Sequence, residues 1–238
     1  MTVTPAKALA FDVFGTVVDW YGSILRDGQV LGESKGITGV DWGRFAGAWR
    51  EAYRPSMDMV RKGELPWTNL DDLHRMSLDR LLVQFGVAGL SEAEKDHFNR
   101  AWHRLQPWPD ATAGLARLRE GYTVATLSNG NLELLTDLAG NAGIRWHHII
   151  SAEQFKHYKP DTEVYTGAAG LLGLPLGQVI LVAAHKDDLW AAHGLGMMTA
   201  FVPRPMEFGP ERSVDANPES WIDLHATDFL DLACQLGT

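Results

Sequence analysis

The sequence is nearly without cysteine, with one residue, Cys234, in 238. A single thiol closes no internal disulfide and builds no cysteine-based metal site, so a disulfide-stapled scaffold is excluded. Cys234 reads as a small core residue of a reducing compartment. Positive charge is also scarce, with 21 Lys and Arg against 30 Asp and Glu and a formal net charge of -9. Holding nucleic acid requires a basic face, so no nucleic-acid partner is expected, although a small basic pocket for a small anion is compatible with this balance. No apolar run approaches the roughly 20 residues of a membrane span. Met1 to Lys7 is not followed by the apolar stretch and cleavage site of a signal peptide. A cytoplasmic protein with no membrane partner is therefore expected. Internal repeats and low-complexity segments are absent, and apart from His185 the histidines show no zinc spacing. Gly194-Leu195-Gly196 does not open a helix from a strand, so it is no dinucleotide fingerprint.

What is present is an ordinary complement for a packed protein, 45% apolar and 21% charged, which excludes disorder as a description of the whole chain. The length suits one large α/β domain or one core with an inserted module. Ala8 to Phe14 is a short apolar run interrupted by Asp12 and followed by Gly15-Thr16, a buried parallel strand leading into a tight turn. Similar runs are Tyr122 to Ser128, closed by Asn129-Gly130, and Val179 to Ala184, closed by His185 to Asp188. Met198 to Val202 stops at Pro203, and His148 to Ser151 is a weaker run. Helical patterns at 112–119, 132–142, 162–172 and 189–195 alternate with these strands, Gly143 being a fitting C-cap. The alternation argues a Rossmann-like α/β core, a parallel sheet with helices on both faces.

The stretch from Tyr21 to Gln106 differs in kind. Phe45, Trp49 and Tyr53, then Leu73, Met76, Leu78 and Leu81, recur at helical spacing with no strand signal. Gly63, Pro66, Gly86 and Gly89 cut the stretch into several helices. The expected organisation is a discontinuous core domain, 1–20 with 107–238, and a helical cap domain, 21–106, inserted after the first strand.

In an open α/β sheet, ligands bind outside the carboxyl ends of the strands. Three strand ends carry polar groups: Asp12 with Thr16, Ser128 with Asn129, and His185 to Asp188. Asp12 reads either as an Asx-turn or helix N-cap, or as a carboxylate nucleophile kept ionised by a nearby cation or by backbone donors. Lys159, just before Pro160 at an expected helix start, is the candidate cation; otherwise it is a solvated loop lysine. Pro203 to Pro210 reads as a surface loop near the rim.

Four segments carry a resemblance: Phe11 to Thr16, Leu127 to Gly130, Lys159-Pro160-Asp161, and the Asp187-Asp188 pair. They occur in the order of the motifs of the haloacid dehalogenase superfamily, and the likeness covers essentially the whole chain. Phosphatases of that superfamily usually carry a second aspartate two residues after the nucleophile, to protonate the leaving oxygen. Here that position is Phe14. A departing halide needs no proton, so the chain resembles the 2-haloacid dehalogenases (type II).

That resemblance implies a metal-independent hydrolysis of short 2-haloacids to 2-hydroxyacids through a covalent Asp12 ester, with no cofactor. Chloride, bromide and fluoride, the last from fluoroacetate, all stay open as the leaving group. By analogy Arg50, preceded by Trp49, and Asn129 cradle the halide, while Ser128, Thr16 and backbone amides hold carboxylate oxygens. Lys159 stands where phosphatases use magnesium, and Asp188 orients Lys159 or the hydrolytic water. Tyr165, six residues after Lys159, matches a family tyrosine near the site. Phe14, Trp20 and Trp67 supply apolar walls that strip water from the nucleophile. Homodimers are common in this group.

The chain departs from the dehalogenase pattern after the third strand, where Ala183-Ala184-His185-Lys186-Asp187-Asp188 puts a histidine at the family's asparagine position and Asp187 at its tryptophan position. His185 is a general base for ester hydrolysis or a hydrogen-bond partner of the water or lysine. Asp187 beside Asp188 keeps open a reading in which Asp12, Asp187 and Asp188 present oxygens to magnesium. The rival functions are a magnesium-dependent phosphatase of the same fold and a non-catalytic member that binds a small carboxylate or a protein partner.

Overall fold

The fold is described from a computed structural model, for residues 6–238. Most of the Met1 to Lys7 segment lies outside the described residues. In chain order the elements are β1 (Ala8–Phe11), β2 (Val18–Asp19), α1 (Trp20–Lys35), α2 (Trp42–Arg61), α3 (Leu70–Gln84), α4 (Glu92–Asn99), β3 (Gln106–Pro107), α5 (Ala111–Gly121), β4 (Thr123–Thr126), α6 (Leu132–Ala142), α7 (Thr162–Leu172), β5 (Val179–Ala183), α8 (Lys186–Gly194), β6 (Met198–Phe201), β7 (Leu224–His225) and α9 (Phe229–Gln235). The protein is α/β. A five-stranded, wholly parallel sheet runs in the order β4-β1-β5-β6-β7.

β1 is a central strand, pairing β4 on one side and β5 on the other. Its four side chains are fully buried, as its continuous apolar run requires. The strand is shorter than its apolar run. After Asp12 the chain folds back on itself, with the amides of Val17 and Val18 donating to the Val13 carbonyl and the Gly15 amide donating to Val18. Gly15 takes φ of 83° in this turn, a conformation open to glycine, and a Cβ there would run into Glu207.

His148 to Ser151 is not a full strand. It meets β4 and the residues just after it through isolated bridges at Ala125–His148 and Ser128–Ser151. Between them the Thr126 side chain intervenes, accepting from the Ile150 amide at 2.8 Å and donating to the Ile150 carbonyl at 2.9 Å. Helix α7 starts at Thr162 with Asp161 at its N-cap, so Pro160 precedes the cap instead of opening the helix. Gly143 caps α6 in the left-handed region, as expected.

Helices α1 to α4 all lie between β1 and β4 in the chain. The expected apolar stripe of α2 is buried, with Phe45 and Trp49 fully covered, because Phe45 packs on Trp42, Phe85 and Phe98. On α3 the expected stripe is only partly right. Leu73, Leu78 and Leu81 are buried but Met76 is exposed, and the inward place is taken by His74. Cys234 is also exposed, not a core residue: on the short helix α9 the buried positions are Phe229, Leu232 and Ala233. Among the described residues no helix is long and apolar enough to cross a membrane.

Candidate active site

The strands of the five-stranded sheet are all parallel, so the carboxyl ends of β1, β4 and β5 reach one edge. Asp12 follows β1, Ser128 and Asn129 follow β4, and His185 follows β5. Asp12, Asn129 and His185 meet at a cavity of about 670 Å³, within the usual size of small-molecule sites. Helix α2 forms the opposite wall with Arg50, Tyr53 and Met57.

Asp12 is held asymmetrically. Its Oδ2 accepts from Thr16 Oγ1 at 2.7 Å and lies 3.0 Å from His185 Nδ1. Its Oδ1 has only the Lys159 ammonium, at 3.5 Å. Burial alone would push the Asp12 carboxyl up, but Lys159 and His185 beside it hold it well below the usual carboxylate range. Thr16 is itself fixed, since its Oγ1 accepts from the Ala184 amide at 2.9 Å. A buried, ionised carboxylate with one oxygen tied down and the other facing an aromatic-walled cavity has the features that a nucleophilic carboxylate needs.

Lys159 is positioned from both ends. Its backbone amide donates to Asn129 Oδ1 at 2.8 Å, and its Nζ donates to Asp188 Oδ2 at 2.6 Å. Tyr165 donates to the other Asp188 oxygen, also at 2.6 Å. Burial opposes the ammonium charge, but Asp188 and Asp12 outweigh it and raise the Lys159 pKa. The cation stays charged across the neutral range.

Arg50 lines the cavity with its guanidinium 4.4 Å from the Tyr53 ring centroid and 5.6 Å from that of Trp20. Its Nη1 is buried and has no hydrogen-bond partner among the described residues, which leaves it a donor for an anion. Phe14 and Trp20 line the same space. Below this floor His74 stacks on Trp102, ring centroids 4.2 Å apart, and burial pushes its imidazole down to about 3, so it is neutral.

Two expected site residues are placed elsewhere. Trp67 does not line the cavity. It stacks on Tyr158, centroids 4.8 Å apart, which leaves its ring facing that tyrosine and the Lys156 ammonium. Ser128 is fully buried and its Oγ accepts from the Gly130 amide at 3.2 Å, so it shapes the turn that carries Asn129 and is not on the cavity wall.

A magnesium ion does not fit the residues present. The space beside Asp12 and Asp188 is spanned by the Lys159 ammonium, and Asp187, on the exposed rim of the cavity, pairs with Arg54 3.0 Å away. Among the described residues no group of three or more His, Cys, Asp or Glu side chains is arranged to hold a metal.

Glu207 is the site residue that the motifs did not reveal. It comes from the proline-rich loop after β6, is fully buried, and lies 2.9 and 3.0 Å from His185 Nε2 through its two oxygens. Trp20 Nε1 donates to it at 3.1 Å. Tyr53, under Arg50, is a second such residue, because the helical stripe that contains it carries no sign of a site.

Comparison with known proteins places the chain in a family. The sequence profile of the haloacid dehalogenase-like hydrolases matches residues 6–196. The chain belongs to the haloacid dehalogenase-like hydrolases. Among family members, it is 28% identical over 224 residues to (S)-2-haloacid dehalogenase 1 of Pseudomonas sp. (strain CBS-3), covering 87% of this chain and 91% of that one. A solved L-2-haloacid dehalogenase is 47% identical with a TM-score of 0.92, covering 97% of this chain and 99% of the other. A solved defluorinating L-2-haloacid dehalogenase is 43% identical with a TM-score of 0.95, covering 98% of this chain and 96% of the other.

Proposed function

We propose that this hydrolase cleaves the carbon–halogen bond of short 2-haloacids, haloacetates and L-2-halopropionate, to give 2-hydroxyacids. The observation that carries the reading is the pairing of Lys159 with Asp12 and Asp188, an ammonium in the place where a phosphatase of this fold would need a metal. The relatives named for 2-haloacid dehalogenation support it.

Asp12 Oδ1 attacks C2 of the substrate. The new C2–O bond forms as the carbon–halogen bond breaks, the halide leaves with the electron pair, and C2 inverts. Arg50, with its unpartnered Nη1, and Asn129 receive the halide, while Phe14, Tyr53 and Trp20 exclude water from the reacting carbon. Water then attacks Cγ of the Asp12 ester. Collapse of the tetrahedral intermediate releases the 2-hydroxyacid. One proton of the water ends on the product hydroxyl, and the other is released as Asp12 returns to its carboxylate. Lys159 favours that ionised form, and Asp188, held by Tyr165, keeps Lys159 in place. We further divide the chain into a core, 1–20 with 107–238, and a helical cap, 21–106, because α1 to α4 pack chiefly on one another and only α2 lines the cavity at length. Fluoride, as from fluoroacetate, is included among the leaving groups.

The test is halide release from chloro-, bromo- and fluoroacetate in EDTA, beside phosphate release from an aryl phosphate with magnesium. Halide release that survives the chelator is the expected result. Phosphate release that requires the metal would replace this reading with the phosphatase one.

A further inference from the structure

His185 stands between two carboxylates, Asp12 at Nδ1, 3.0 Å away, and Glu207 at Nε2, 2.9 Å away. A neutral imidazole has one N–H and one lone pair. In the neutral form one ring nitrogen would therefore point a lone pair at a carboxylate oxygen at hydrogen-bond distance. Only the imidazolium, with an N–H on each side, satisfies both contacts. Oxygen Oδ2 of Asp12, the one His185 faces, is also the oxygen bound by Thr16, whereas Oδ1 is left for the substrate.

We propose that Glu207 is a positioning residue that keeps His185 a doubly hydrogen-bonded imidazolium, so that His185 and Thr16 together stabilise the oxyanion formed on Asp12 Oδ2 during ester hydrolysis. The inference rests on the dehalogenase reading and deepens it. In the ester, Oδ1 is bonded to C2 of the substrate and Oδ2 is the carbonyl oxygen. When water adds to Cγ, negative charge develops on Oδ2. The Thr16 hydroxyl at 2.7 Å and His185 Nδ1–H at 3.0 Å already occupy the positions that donors to such an oxyanion need. His185 is thus an electrophilic partner of the intermediate and not the base that takes a proton from water.

The surroundings agree. Burial opposes the charge on His185, but Glu207 and Asp12 overcome it and raise its pKa to about 10. The charged groups around it are Asp12 after β1 and Glu207 from the loop after β6. Arg50 of α2 lies 3.7 Å beyond Glu207, and Lys159 with Asp188 of α8 lie beyond Asp12. Glu207 is fixed by Trp20 Nε1 and packed against Gly15, so its own freedom is small.

The test compares wild type with Glu207→Gln and Glu207→Asp. In single turnovers with chloroacetate, Glu207→Gln should release its first equivalent of halide within about threefold of the wild-type rate. It should then hydrolyse the ester about ten- to a hundredfold more slowly, with the ester seen as added mass on the intact protein. Glu207→Asp should restore part of the second step. The His185 imidazole, followed by 15N NMR in unliganded wild type, should stay charged through pH 8 and titrate at least one pH unit lower in Glu207→Gln. A neutral His185 in wild type at pH 7 would overturn the proposal even if no variant folds. So would unaltered ester hydrolysis in a folded Glu207→Gln. Absence of any halide release from wild type would sink the dehalogenase reading and with it the ester-stage role, while the wild-type imidazole titration would still decide the Glu207–His185 pairing.

Discussion

Arg61, at the end of α2, reaches across to Asp161, the N-cap residue of α7, with Nη2 2.8 Å from Oδ1. The Asp161 side chain makes no capping bond to its own helix; it is committed to Arg61 and His157. The pair ties the helical wall of the cavity to the segment that carries Lys159. Both side chains are partly exposed, so Arg61→Ala should cost about 1 kcal/mol of stability or less. It should lower kcat/KM a few-fold, and the difference from wild type should shrink in about 1 M salt, where the Debye length is about 3 Å.

Asp12→Asn keeps the size of the side chain and removes the nucleophile. Halide release should fall by about a thousandfold or more. Steady-state halide assays check this, with circular dichroism to show the fold intact. Near-wild-type release would sink the covalent mechanism.

Lys159→Met removes the cation that most lowers the Asp12 pKa. The wild-type Asp12 pKa is depressed, so the nucleophile stays ionised as pH falls well below the ordinary carboxylate range, and kcat/KM should stay level on the acid side. In Lys159→Met the acid limb should move upward in pH. The rate at neutral pH should fall about a hundredfold, from lost charge stabilisation and disturbed Asp188. A pH–rate profile of both proteins distinguishes a shifted limb from a uniform loss.

His103 lies between Asp71 of α3 and Asp137 of α6, at 3.0 and 2.8 Å. Burial opposes its charge, but Asp71 and Asp137 win and raise its pKa above the ordinary 6.5. A raised folded pKa gives stability that is fully present below about pH 6.5 and is lost as pH climbs through the folded value. The melting-temperature gap between wild type and His103→Gln should therefore be widest at pH 6 and narrow toward alkaline pH. A gap independent of pH would show that the tie is packing alone.

Trp67→Ala separates a wall of the cavity from a neighbour of Tyr158. Its ring stacks on Tyr158 and is absent from the cavity lining. The variant should lose about 2 kcal/mol of stability and keep its KM for haloacetates within twofold. Denaturant unfolding and initial-rate kinetics together check both halves.

Much of the candidate site was legible because it sits at strand ends. Asp12, Thr16, Asn129, Lys159, Asp188 and Tyr165 converge as the parallel topology requires, although each lies far from most of the others in the sequence. Glu207 was not legible. It sits 22 residues after His185 in a loop of prolines and glycines, where a glutamate ordinarily faces water. Its burial depends on three partners from two other stretches of the chain: Gly15 and Trp20 after β1, and His185 after β5. Trp67 failed in the opposite direction, since a large aromatic in a helical stretch carries no sign of which apolar surface it will meet. Strand β7 was missed because two residues make no alternation to detect. Met76 and Cys234 show the limit of periodicity: both match an apolar pattern by residue type, and both lie on the outer side of their helices.

The chain leaves the sheet region for α1 through β2 and returns from the helices through β3, and these two short strands pair with each other, Val18 opposite Pro107 and Asp19 opposite Gln106. The helical segment is thus joined to the sheet region by backbone pairing where it begins and ends, while ties such as Arg61 to Asp161 and Asn131 to Asp71 run through side chains. Loosening those side-chain ties would leave the β2–β3 pair as an anchor and would alter the distance between Arg50 and Asp12.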